Sequence, residues 1–68
     1  MKLIGDINGL EELKHIKENK IFYLKFLFKE AQTNTDNKAF FKGRNLEKFV
    51  LVYNKLKDEY TVAKDKGE

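Results

Sequence analysis

Few side chains in this sequence are placed to do covalent chemistry. His15 is the single histidine and there is no cysteine, so a common zinc site lacks its other ligands. The carboxylates that sit closest together, Glu11/Glu12 and Asp58/Glu59, are neighbours in the chain. On a helix such neighbours point in different directions, whereas acid–base catalysis needs convergent groups whose pKa values are driven apart. No glycine-rich phosphate loop and no nucleophile elbow occurs. The reading is of a chain that is not an enzyme and takes no metal or cofactor.

What the sequence does carry is binding potential. The stretch KIFYLKFLF, residues 20–28, holds seven apolar side chains in nine positions, and four of these are aromatic. Net charge is +3 and is unevenly spread. From Lys14 to Lys48 there are nine basic residues against four acidic ones, whereas the flanks hold five basic and seven acidic. Cations and aromatic rings are therefore concentrated in the same central segment. Lysines that merely solubilise an aromatic stretch would give the same pattern.

Length bounds the rest. Sixty-eight residues suffice for one domain, and a chain of this size buries only about 60% of the surface its unfolded form exposes. A deep catalytic pocket is not expected. With 41% hydrophobic and 37% charged residues, the chain is too apolar for simple disorder and too charged for a membrane class. The opening MKLIGDINGLEE lacks a secretory apolar core. The longest apolar run is interrupted at Lys25, well short of the roughly 20 residues that span a bilayer. Together with the absence of cysteine, this points to a cytoplasmic protein with no membrane partner.

These residues must be positioned by a small number of elements. At 100° per residue, Leu10, Leu13, Ile16, Ile21, Tyr23, Leu24, Leu27, Phe28 and Ala31 share one arc, interrupted by Lys17 and Lys20. With Asn8 as its cap, this predicts a helix over about 9–31. Residues 22–29 also alternate with a strand's period, so the alternative pairs KIFYLKFLFKE with KAFFKG as a hairpin. Leu46, Phe49, Val50, Val52, Tyr53, Leu56, Tyr60 and Ala63 share a second arc, predicting a helix over about 45–62 with Asn45 as its cap. The β-branched Val50, Val52 and Val62 oppose that helix and leave a VLVYNKL/EYTVAK hairpin as the minority reading.

The expected fold is mainly α. It is a single domain over 1–68, built as an antiparallel helical hairpin with a short capping helix near 36–42. Residues 1–8 are expected to fray and 64–68 to form a tail. The alternative is α+β with a central hairpin from 20–29 and 38–43.

On the long helix, Phe22, Phe26 and His15 project away from the core arc. Aromatic anchors enrich protein interfaces, so these residues are read as the contact surface of a small regulator or inhibitor that docks on another protein or on its own copy. The competing reading is a nucleic-acid accessory protein, with Lys25, Lys29, Lys42, Arg44 and Lys48 holding phosphates.

Overall fold

The computed structural model describes residues 2–65. In chain order it contains β1 (Lys2–Gly5), α1 (Ile7–Asn19), α2 (Ile21–Thr33), β2 (Lys38–Lys42), β3 (Lys48–Asn54) and β4 (Glu59–Lys64). The four strands form one sheet in the order β1-β4-β3-β2, with β1 parallel to β4 and the other pairs antiparallel. Helix α1 packs over β1 and β4, while α2 packs over β2 and β3. Both helices thus cover the same face.

Strand alternation sorts the sheet residues into two populations. Ala39, Phe41, Phe49, Leu51, Tyr60 and Val62 face the helices and are buried with Leu13, Ile16, Leu24, Leu27 and Ala31. Phe41 stacks on Phe49 and Phe28 packs edge-on against Tyr60. The Tyr60 hydroxyl is satisfied by the side-chain amide of Gln32, which donates to it. Fully burying a large apolar side chain contributes about 1.5–3 kcal/mol, so this one layer supplies most of the stability. Among the described residues, nothing covers the opposite face.

Local chemistry explains how the helices reach the sheet. Asp6 caps α1, its Oδ2 accepting from the backbone N–H of Gly9 at 3.0 Å. Gly9 lets α1 press against β3 and β4, because a Cβ there would stand 2.3 Å from Val62 Cγ1. At Gly5, φ is +133° and a Cβ would meet the Val62 carbonyl oxygen at 2.1 Å. Only glycine lets β1 run this close beside β4.

Several sequence expectations are corrected. The protein is not mainly α; it is α+β, the class of the alternative reading. The helix expected over 9–31 is two helices broken at Lys20, whose φ of −145° and ψ of 60° lie outside the helical region. An unbroken helix of that length would extend about 35 Å, overshooting the sheet. Breaking it lets both apolar stripes use one sheet face. The break also turns Ile21 and Tyr23, expected in the core, to 39% exposure each.

The helix expected over 45–62 is the β3–β4 hairpin, the minority reading of that segment. Its β-branched residues suit a pleated surface and its alternation of Phe49, Leu51 and Tyr53 with Val50 and Val52 fills one face. Asn54 Oδ1 organises the turn by accepting from the backbone N–H groups of Leu56 and Lys57. The capping helix expected near 36–42 is β2, and its partner is β3 rather than residues 20–29, of which 21–29 are helical. Residues 2–5, expected to fray, form β1, and Lys64 of the expected tail ends β4; residues 66–68 lie outside the described residues.

Candidate interaction surfaces

Helix α2 buries Leu24, Leu27 and Ala31 and presents a second, aromatic face. Phe22 is 80% exposed and Phe26 56% exposed, one helical turn apart, a spacing at which side chains are neighbours. The Tyr23 and Phe26 rings lie nearly parallel with centroids 6.4 Å apart. Lys25 Nζ sits over the Phe22 ring, 5.7 Å from its centroid, a cation–π contact. The β3–β4 hairpin and the Phe40–Phe41 pair both leave Phe22 and Phe26 uncovered.

Tyr23 continues this surface toward the sheet. Together with Phe40, Lys20, Lys42 and Lys48 it lines an open hollow of about 640 Å³ where the N-terminal half of α2 meets β2. Phe40 belongs to the uncovered sheet face and is 55% exposed, whereas its neighbour Phe41 is 3% exposed and in the core. On the same outward row stand Lys38 and Lys42, two residues to either side of Phe40. Lys48 is directly opposite Lys42 across the β2–β3 pair.

The residues singled out in the sequence do not form one cluster. His15 lies on α1 and lines a small hollow with Glu12, Lys20, Tyr23, Lys42 and Arg44, which shares Lys20, Tyr23 and Lys42 with the larger one. Its Nδ1 is 3.3 Å from the side-chain nitrogen of Asn19, whose amide also donates to the His15 carbonyl. Arg44 is engaged with Glu12, its Nε donating to Oε2 at 2.8 Å. Burial raises the Glu12 pKa, but the hydrogen bonds and charge of Arg44 outweigh this and hold it below the usual carboxylate value. Lys25 and Lys29 belong to the helix layer, and Lys42 and Lys48 to the outward face of the sheet.

Sequence reasoning therefore joined residues that the fold distributes over two layers. It missed Phe40 as a surface group, and left Lys38 out of the candidate site residues. Their signal was present in KAFFK, where a strand's alternation places both lysines and the first phenylalanine on one side.

A second apolar hollow of about 470 Å³ lies between the helices, lined by Leu10, Leu13, Lys14, Lys17, Leu24 and Phe28. Among the described residues, no helix is long and apolar enough to cross a membrane and no three His, Cys, Asp or Glu side chains are grouped to hold a metal. No protein-family model, curated protein or solved structure matches this chain.

Proposed function

We propose that this chain is a non-enzymatic, cytoplasmic interaction module, a small regulator or inhibitor that docks on another protein through the aromatic face of α2. The supporting observation is the exposure of Phe22 and Phe26 beside Tyr23 on a helix whose opposite face is fully used by the core. Isolated exposed apolar groups are ordinary, but contiguous aromatic rings rimmed by cations have the anatomy of an interface. Lys25 and Lys29 flank the rings on α2, with Glu30 one turn beyond Phe26, so the fitting partner is an apolar groove with a predominantly acidic rim. Docking of two copies through this face would bring like charges together and is disfavoured.

Site-specific photocross-linking in cells tests this. With p-benzoylphenylalanine in place of Phe22, one partner protein should be captured, and Phe26→Ser should remove that adduct while leaving the circular dichroism spectrum unchanged. The same probe in place of Leu56, which is 98% exposed at the β3–β4 turn, should not capture it. Unfolding of the Phe22→Ser/Phe26→Ser double variant, or equal capture from both positions, would overturn the proposal.

A further inference from the structure

We infer that the uncovered face of the sheet is a second site, one that meets the aromatic face of α2 at Tyr23 and binds single-stranded nucleic acid. It is built from the outward row of β2 and the hollow beside it. The pleat sets Lys38, Phe40 and Lys42 on one side of β2, with each lysine about 7 Å from the ring position along the strand. Lys48 faces Lys42 across the pair, and Lys20 and Tyr23 close the hollow from the helix layer. Val50 and Val52 form the apolar floor next to Phe40 and Lys38, to which they are directly paired.

Charge and shape select this occupant. The outward positions of β2 and β3 are Lys38, Phe40, Lys42, Lys48, Val50, Val52 and Asn54, with no acid among them. On β4 the outward Glu59 is engaged by Lys2 across the β1–β4 pair, at 3.9 Å. Asp65, just beyond β4, is among the described residues the one acid lining the hollow and stands beside Lys48, its backbone N–H donating to the Lys48 carbonyl. Non-sequence-specific recognition of single strands needs exposed aromatic platforms on which bases stack and cations that track the phosphates. Phe40 and Tyr23 are the platforms, and Lys20, Lys38, Lys42 and Lys48 are the cations. A second copy of the chain suits this face less well, because packing two such faces together opposes lysine rows.

The test is fluorescence anisotropy of the full chain with labelled 12-mer oligo-dT and oligo-U, and with a duplex of the same length, at 50 and 200 mM salt. Four phosphate contacts on a single strand give a slope of about −3 in log affinity against log salt, or roughly a fiftyfold loss over that range. Lys42→Ser/Lys48→Ser should halve the slope. Phe40→Ala should weaken binding about tenfold without changing the slope, since stacking is not ionic. Phe22→Ser/Phe26→Ser should leave binding unchanged, which keeps this site separable from protein docking.

Three results would overturn the inference. The first is absence of binding at 50 mM salt with a folded protein. The second is binding that survives Phe40→Ala and Lys42→Ser/Lys48→Ser but is lost with the Phe22/Phe26 variant. The third is a dimer in light scattering that Phe40→Ala dissociates, with no oligonucleotide bound; that would assign the face to a second copy.

Discussion

Phe40 and Phe41 are adjacent, identical in chemistry and opposite in role. Phe41 stacks on Phe49 beneath the helices, whereas Phe40 stands 55% exposed between two lysines. The comparison extends to the whole sheet. One face is covered by α1 and α2 and is filled with large side chains; the other carries valines, threonine and lysines and, among the described residues, no layer above it. Aromatic content alone is therefore no guide to which rings this protein buries and which it leaves exposed. The pleat decides which ring does which.

The largest expected effect separates these two rings. Phe41→Ala should cost about 3–5 kcal/mol, the usual range for truncating a buried phenylalanine, and in a chain this small should leave little folded protein. Phe40→Ala should stay within about 0.5 kcal/mol, as for an ordinary surface change. Urea unfolding of both variants measures the contrast, and similar losses at the two positions would show that the outward face is covered in solution.

A smaller effect is expected at the sheet's parallel edge. Gly5→Ala forces a Cβ against the Val62 backbone at a positive φ, and strain of this kind costs about 1–3 kcal/mol. Hydrogen exchange should show β1 losing protection before the β2–β3 pair. Uniform loss across the sheet would mean that β1 is not a separable element and would blunt the contrast between edge and centre.

The smallest effect tests the ion pair that ties the β2–β3 loop to α1. Because Arg44 holds the Glu12 pKa below its unfolded value, the pair contributes stability above the unfolded pKa and loses it as pH falls through the folded one. Arg44→Ala should cost about 0.5 kcal/mol near neutral pH, as expected for a pair that is open to solvent on its arginine side. Thermal unfolding of variant and parent should converge once Glu12 is protonated in both. A gap that persists at low pH would assign the effect of Arg44 to packing instead of charge.

How much of this was legible in the sequence differs by segment. The helical stripe of Leu13, Ile16, Leu24, Leu27 and Ala31 could be read directly, because every one of those residues is buried. The break at Lys20 was marked only by the two lysines that interrupt the stripe, and no proline or glycine announces it. The C-terminal half carried two periodicities at once. Phe49, Val50, Val52, Tyr53, Leu56 and Tyr60 align on a helical wheel, yet Leu46 and Leu56, which the wheel would bury, are 80% and 98% exposed at hairpin turns.

By itself the sequence determined the aromatic and basic content of the central segment, the absence of cysteine, and the outward position of Phe22 and Phe26, since these depend on residue type and local helical geometry. Only the tertiary structure decided that residues 48–64 are strands, that β1 and β4 pair in parallel across most of the chain, and that Phe40 and Tyr23 share a hollow with Lys20, Lys42 and Lys48. The reason is physical. Strand pairing and sheet faces are set by contacts between residues far apart in the chain, and no local period can encode which face the helices will cover.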